Sequence, residues 1–215
     1  MKHPALGAGT VGAVLLALLS PATARAAGGA VSAGDRIHVG TAVCSLAYTY
    51  RSTTNGHTYA ITAAHCQNGR STTAHTDTGV VGTFVRAAVD PAGIGGSDFA
   101  LLDFGPSATP GRYVGGRPLL YGLDRPEPGE TICRSGATTG THCGIVQAAR
   151  GAMQYVTAPG MTPCAGGDSG GAMWAIRSNG AQIIGVWLGG VSMPDGTELG
   201  RFAVLADGFT ALGLT

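Results

Sequence analysis

Gly167-Asp168-Ser169-Gly170-Gly171 is the most informative stretch of this chain, and Thr62-Ala63-Ala64-His65-Cys66 lies upstream of it. Each segment presents one reactive side chain among small residues. A serine hydroxyl is a poor nucleophile near neutral pH and needs a neighbouring base. Glycines permit a tight bend, which can aim the amides of Gly167 and Ser169 at one point where an oxyanion develops. The alternative is a glycine-rich hairpin turn.

His65 is the candidate base, because it follows a β-prone run and small residues leave its imidazole room to face a cleft. It would take the proton of Ser169 and later deliver it to a leaving group. His65 and Cys66 could instead be half of a metal site, with His57 and His75 near in sequence. A metal site needs further ligands at suitable spacing. No second Cys/His pair provides them, so we expect neither a metal nor another cofactor.

An imidazole base needs a carboxylate to orient it, and Asp98 is the best candidate. It opens the apolar run Asp98-Phe99-Ala100-Leu101-Leu102, where a charge must be paired or well hydrogen-bonded. Asp90 and Asp103 compete for this role. Asp90 precedes a proline and reads as a turn residue, and Asp103 could be a solvated strand end.

The N-terminus has the pattern of an export signal. Lys2 is a basic tip, residues 11–19 are apolar, and Ala24-Arg25-Ala26 matches a cleavage site. The apolar run is shorter than the roughly 20 residues that span a bilayer. We therefore predict a signal peptide over 1–26 and a secreted, extracellular domain over 27–215, without a membrane partner after cleavage. The alternative is an uncleaved membrane anchor.

The charge balance excludes several kinds of partner. The chain has 13 Lys and Arg against 12 Asp and Glu, and removal of residues 1–26 leaves a formal charge of −1. There is no basic face for nucleic acid and no polybasic patch for a membrane surface. We expect a monomer that does not bind nucleic acid.

The five cysteines suggest disulfides in an exported chain, although the sequence does not fix their pairing. Cys133 and Cys143 enclose nine residues rich in Gly, Ser and Thr, which favours a local loop closure. Cys44 and Cys66 flank the histidine segment. Cys164 is then left over, either as a reactive thiol or as a buried, inert one.

The remaining pattern is that of an all-β protein. Short β-prone runs are separated by turn signals such as Thr54-Asn55-Gly56, which favours a barrel or sandwich. The runs include 42–50, 57–62, 79–85, 99–104, 131–133, 144–148, 154–157, 171–176 and 182–188. Only about 203–212 reads as a helix, and Gly208 weakens it. A Pro- and Gly-rich stretch at 105–116 divides a half over about 36–108 from one over about 117–202.

Taken together, TAAHC, the segment SDFALL and GDSGG resemble the chymotrypsin-like serine peptidases. The stretch from Cys133 to Gly144, CRSGATTGTHCG, is similar to a disulfide loop of their bacterial streptogrisin branch. The resemblance covers about Cys44 to Gly190. It implies two six-stranded antiparallel β-barrels with the site between them.

The resemblance also assigns roles to particular residues. His65, Asp98 and Ser169 would be base, orienter and nucleophile. The disulfides would be Cys44–Cys66 and Cys133–Cys143.

In this branch an internal arginine pairs with the aspartate before the nucleophile, which implies an Arg134–Asp168 ion pair. Leu188, Gly189 and Gly190 would form the substrate-binding strand, with Leu188 where the family usually has a serine.

The function predicted from these residues is a secreted serine endopeptidase that cleaves polypeptide substrates through an acyl-enzyme. No acid lies just before Cys164, where a preference for Arg or Lys would want one, so we predict an apolar side chain before the scissile bond. The alternative is a catalytically weak or inactive peptidase-like binding protein. Leu188, the unpaired Cys164 and the absence of this branch's usual pro-region motivate that alternative. An esterase that uses the same triad is a third option.

Overall fold

The computed structural model describes residues 28–214 except 68, 70, 91–95, 151–152, 158–160 and 162–164. The predicted signal peptide and Cys164 lie outside the described residues. The strands are β1 Ala30–Val31, β2 Arg36–Val39, β3 Ala42–Ser45, β4 Tyr48–Arg51, β5 Thr58–Thr62, β6 Thr73–Thr76, β7 Val81–Val89, β8 Asp98–Asp103, β9 Thr109–Pro110, β10 Tyr113–Val114, β11 Arg117–Leu120, β12 Thr131–Gly136, β13 Gly140–Arg150, β14 Met153–Thr157, β15 Ala172–Arg177, β16 Gly180–Ser192 and β17 Glu198–Val204. A 3₁₀ turn, Ala64–Cys66, follows β5, and an α-helix, α1, covers Leu205–Ala211.

The first sheet has the strand order β3-β2-β6-β7-β8-β5-β4. Its end strands, β3 and β4, are two parts of one bent strand that is interrupted only at Leu46 and Ala47. At the bend, the Leu46 amide donates to Asp35 and the Ala47 amide donates to Ile61. Counted in this way, the sheet is a ring of six antiparallel strands, because the bent strand belongs to both of its ends.

The second sheet closes through β17, which pairs with both β14 and β16. The ring runs β12-β13-β14-β17-β16-β15 and returns to β12. Beside the ring, β11 adds to β16 in parallel and carries β10. Closure pairs the strand edges that would otherwise be exposed. The predicted all-β class, with two barrels and a short C-terminal helix, is confirmed.

Buried and exposed side chains alternate along the strands, so that one face of each sheet forms a core. In β2, Ile37 and Val39 are buried while His38 is exposed, as expected for a strand with one face inward. The long strand β16 is one of the six strands of the second barrel, and it is buried over most of its length. Trp187 on this strand is fully buried beside Phe202, so the tryptophan belongs to the core.

The C-terminal helix joins the two barrels. Gly208 was expected to weaken this helix, but a Cβ there would meet the ring of Phe99 at 2.7 Å. The glycine therefore lets α1 lie close against β8 of the first barrel. The ring of Phe209 packs edge-on against Tyr48, with 5.6 Å between centroids. Across the parts of the chain that the structure describes, the helices fall short of the length and apolarity that a membrane crossing requires.

Candidate active site

Ser169 lies in a tight turn that both barrels hold in place. The backbone of Gly170 has φ of +80°, and a Cβ there would meet Thr62 Oγ1 at 2.1 Å and the Ser45 carbonyl oxygen at 2.5 Å. Only glycine fits such a position without strain. The amide of Gly170 donates to the Trp187 carbonyl, and the carbonyl of Ser169 accepts from the Ser45 amide at 2.8 Å. The turn over residues 167–171, called the Ser169 loop below, is thus fixed by strands of both sheets.

His65 sits in the 3₁₀ turn after β5, and Asp98 is the first residue of β8. The imidazole Nδ1 lies 2.6 Å from Asp98 Oδ2, and the His65 amide donates to Asp98 Oδ1 at 2.9 Å. The other ring nitrogen, Nε2, is the one left for a substrate or a nucleophile. His65 is 44% exposed, so it is accessible from solvent.

The electrostatics of Asp98 favour its charged form. Burial raises the pKa of this carboxyl, but the hydrogen bonds from the ring and amide of His65 and from the amide of Ala64 outweigh burial. The pKa of Asp98 therefore lies below its ordinary value. An ionised carboxylate at Nδ1 fixes the tautomer of the imidazole and stabilises the imidazolium that forms when His65 takes a proton.

The structure brings the His65–Asp98 pair next to the Ser169 loop. Cys66 follows His65, and its Sγ lies 3.7 Å from the Ser169 carbonyl oxygen. This is a contact and not a hydrogen bond, because Cys66 is bonded to Cys44 and its sulfur carries no hydrogen. Among the described residues, His65 makes its hydrogen bonds to Asp98, and none to the hydroxyl of Ser169. Such catalytic contacts often tighten only when substrate binds.

Two backbone amides near Ser169 are available to an anion. Gly167 has φ of +100°, and its carbonyl accepts from the Ser45 hydroxyl at 2.6 Å. Within the described part of the chain, the amides of Gly167 and Ser169 donate to no protein acceptor. Both amides lie in one turn, which is the arrangement that stabilises a developing oxyanion.

Asp168, just before Ser169, is fully buried and accepts hydrogen bonds from several sides. Arg134 Nη1 donates to Asp168 Oδ2 at 2.8 Å, and both side chains are almost completely excluded from solvent. Thr139 donates through its hydroxyl and its amide, and Thr138 donates through its amide. Burial raises the pKa of Asp168, but these hydrogen bonds and the charge of Arg134 bring it below its ordinary value. The guanidinium carbon of Arg134 also lies 4.7 Å from the centroid of a Trp187 ring.

The strand expected to bind substrate, Leu188 to Gly190, belongs to β16 and follows Trp187. A β-bulge between Trp187 and Gly189 changes the register against β17 at this point. Leu188 is buried, and it lines a cavity of about 230 Å³ together with His65 and Asp98. The candidate substrate strand and the candidate base therefore border the same space.

Both expected disulfides are present, Cys44–Cys66 and Cys133–Cys143. The first ties β3 to the 3₁₀ turn of His65, and the second links β12 to β13.

Residues considered for the orienting carboxylate or for a metal site have other partners in the structure. The ring of His57 lies 2.9 Å from Asp103, and Cys66 is a half-cystine. Asp103 is thus a hydrogen-bond partner of His57 and not a solvated strand end. Over the residues that the structure describes, no three His, Cys, Asp or Glu side chains cluster as metal ligands would.

Two residues of this region, Ser45 and Arg201, were not predicted from the sequence. Ser45 holds the Ser169 loop through its amide and its hydroxyl. Arg201, on β17, lines the cavity beside His65. A signal for Arg201 was its position inside the apolar run Leu199 to Val204, where a charged residue is unusual.

The chain resembles known serine proteases in sequence and in structure, although no protein-family model matches it. It is 35% identical over 174 residues to Serine protease 2 of Streptomyces fradiae, which covers 74% of this chain and 94% of that one. It is 33% identical to Streptogrisin-C of Streptomyces griseus over 74% of this chain, although the match spans only 35% of that longer protein. The crystal structure of Protease A from Thermobifida fusca superposes with a TM-score of 0.64 at 25% identity, covering 86% of this chain and 96% of that chain. These relatives, together with the double-barrel fold, show that the chain is a serine-type peptidase and belongs to the streptogrisin branch of the chymotrypsin-like serine peptidases.

Proposed function

We propose that this protein is a secreted endopeptidase whose nucleophile is Ser169, with His65 as its base and Asp98 as the orienting carboxylate. The observation that carries the proposal is the 2.6 Å contact between His65 Nδ1 and Asp98, beside a glycine-bounded serine loop. The signal peptide would be 1–26 and the mature domain 27–215, with barrels over about 36–108 and 117–202 followed by the helix α1.

The reaction begins when Ser169 Oγ attacks the carbonyl carbon of the scissile peptide bond. Its proton passes to His65 Nε2, and the charge on the imidazolium is balanced by Asp98. The oxyanion of the tetrahedral intermediate accepts hydrogen bonds from the amides of Gly167 and Ser169. Loss of one such donor typically costs about 10²–10³ in kcat.

The intermediate then collapses, and His65 donates its proton to the leaving amine. The amine departs and leaves an ester between Ser169 and the new C-terminal carbonyl. Water, deprotonated by His65, attacks this acyl-enzyme, and the acid product leaves as Ser169 regains its proton. Atoms and protons balance over the cycle, and no cofactor takes part.

The side chain before the scissile bond should be apolar. The wall provided by Gly189 and Gly190 carries no charge, and the sequence has no acid just before Cys164. A basic side chain would find no counter-ion there. A peptide library tests this specificity, and strict selectivity for arginine at that position would contradict it.

The test of the catalytic assignment is covalent labelling. The secreted protein is treated with a fluorophosphonate, and the modified peptide is identified by mass spectrometry, which also gives the mature N-terminus. We expect labelling at Ser169 and cleavage of casein, and we expect both to disappear in Ser169→Ala. A matched control is Ser178→Ala, since Ser178 lies in an exposed turn away from the site. A folded sample that neither labels nor cleaves would contradict the proposal.

The competing function is a peptidase-like binding protein of weak or no activity. Leu188 favours it, because this buried side chain offers no hydroxyl to the neighbouring Asp98. In that case the folded protein would bind peptides without cleaving them, and the labelling experiment separates the two functions.

A further inference from the structure

Arg201 is a cation beside the candidate base that the mechanism above does not use. It lies on β17, paired across the sheet with Gly189 on β16 and with Tyr155 on β14. Its Nε is buried without a hydrogen-bond partner. Among the described residues, the Arg201 side chain forms no ion pair and no hydrogen bond, although it is partly buried. Burying part of a guanidinium without a counter-ion costs free energy unless a ligand or water accepts hydrogen bonds from its N–H groups.

The cavity that Arg201 lines also borders His65. Its volume is about 230 Å³, and apolar side chains of Val89, Met153 and Leu188 make up much of its wall. This space could hold the aliphatic part of one side chain, and the guanidinium could receive a polar end.

The acids that border the same cavity are already engaged. Asp98 accepts hydrogen bonds from the ring and amide of His65 on both of its oxygens. Asp90 also has a partner of its own. Among the residues that line this cavity, Arg201 is therefore the charged residue to which a ligand could supply an opposite charge.

A substrate carboxylate fits this requirement. Arginine presents a planar fork of N–H donors that matches a carboxylate, and hydrogen bonds between charged groups are stronger than neutral ones. Successive side chains of an extended substrate point to opposite faces. If the residue before the scissile bond faces the Gly189–Gly190 wall, the residue preceding it faces His65 and the cavity.

We propose that Arg201 selects an acidic side chain, glutamate or aspartate, at the second residue before the scissile bond. This inference rests on the proposed function, because it assumes that peptides bind along Gly189 and Gly190. The preference for an acidic side chain would then come from an arginine on β17, the strand paired with β16, which is expected to bind the substrate backbone.

The test uses two fluorogenic peptides that differ only by Glu or Gln at this second position. We expect wild-type kcat/KM to be about tenfold higher for the Glu peptide, the factor that corresponds to one added charged interaction of about 1.4 kcal/mol. In Arg201→Met, which keeps the length of the side chain but removes its charge, the ratio should fall to about one. Arg201→Lys should give an intermediate ratio, and added salt should reduce the wild-type ratio.

A matched control is Arg177→Met, which removes an arginine on β15 whose partners, Asp124 and Glu130, lie outside the cavity. It should keep the wild-type ratio. Equal cleavage of both peptides by the wild type, or a preference that survives in Arg201→Met, would overturn the assignment. A folded protein that cleaves neither peptide and takes no fluorophosphonate would contradict the proposed function instead. In that event, titration of the two peptides onto Ser169→Ala still measures the preference of Arg201, and equal affinities would refute it.

Discussion

Replacing Arg134 with leucine should leave the carboxylate of Asp168 buried without a counter-ion. The two side chains are 2.8 Å apart and almost completely excluded from solvent. In the variant, Asp168 keeps its hydrogen bonds from Thr138 and Thr139 but loses the only positive charge that contacts it among the described residues. Protonation of Asp168 would relieve the charge, but the remaining donors favour the ionised form.

The size of the effect follows from the burial of the pair. Two unit charges about 4 Å apart interact by about 4 kcal/mol at an effective dielectric constant of 20. Removal of one partner from a buried pair costs about 3–5 kcal/mol. Loss of the guanidinium over the Trp187 ring acts in the same direction. We therefore expect the free energy of unfolding to fall by about 4 kcal/mol, a large part of the roughly 5–15 kcal/mol that a domain has.

The assay is urea unfolding in a Ser169→Ala background, which prevents self-digestion. With a slope of about 2 kcal/mol per molar urea, the midpoint should fall by about 2 M. The matched control is Arg177→Leu, which breaks a 2.6 Å ion pair with Glu130 that is partly exposed. Its cost should be about 0–1 kcal/mol, because solvent screens such pairs. With Ser169 restored, Arg134→Leu should also lose most of its activity, because Asp168 adjoins the nucleophile.

Two further results test the role of the Arg134–Asp168 ion pair. Asp168→Asn added to Arg134→Leu should recover part of the lost stability, because no buried charge then remains. If Arg134→Leu unfolds at the same urea concentration as the Arg177→Leu control and cleaves casein at the wild-type rate, the ion pair has no role in stability or in shaping the loop.

Three other changes test separate parts of the structure. Asp98→Asn should reduce kcat about 10⁴-fold in a peptide assay, because the amide no longer holds the imidazole in the required tautomer; a loss below tenfold would contradict this. Replacing both Cys133 and Cys143 with alanine should cost about 3 kcal/mol in urea unfolding, the entropy of a short closed loop, and an unchanged midpoint would refute it. The pKa values of Asp98 and Asp168 are lowered in the folded state, so the unfolded state binds more protons in acid. Stability should therefore be complete at neutral pH and fall as the pH drops below about 4; a midpoint that is constant down to pH 2 would contradict this sign.

The backbone turn at Ser169 could be predicted because local sequence determines it. The glycines around Ser169 are needed for a backbone turn that other residues cannot adopt, so the motif itself indicates the conformation. The run from Phe99 to Leu102 likewise predicts a buried strand, and a carboxylate at its start needs a partner. The structure provides that partner in His65.

Contacts that depend on long-range register could not be predicted. The pairing of Arg201 with Gly189 requires a β-bulge on β16, and nothing local to either residue indicates it. The contact of Arg134 with the Trp187 ring joins β12 to β16 across the interior of the barrel. Gly208 has a long-range role of the same kind, since a Cβ at this position would meet the ring of Phe99 on β8.

Ser45 makes the Ser169 loop dependent on the first barrel. Its amide binds the Ser169 carbonyl, and its hydroxyl donates to Gly167 while accepting from the Ala137 amide. The Ser169 loop therefore gains these three contacts only when the two barrels have docked. We therefore expect a newly made or partly unfolded chain not to cleave other proteins. The appearance of peptidase activity would then report the docking of the two barrels, the last step of folding.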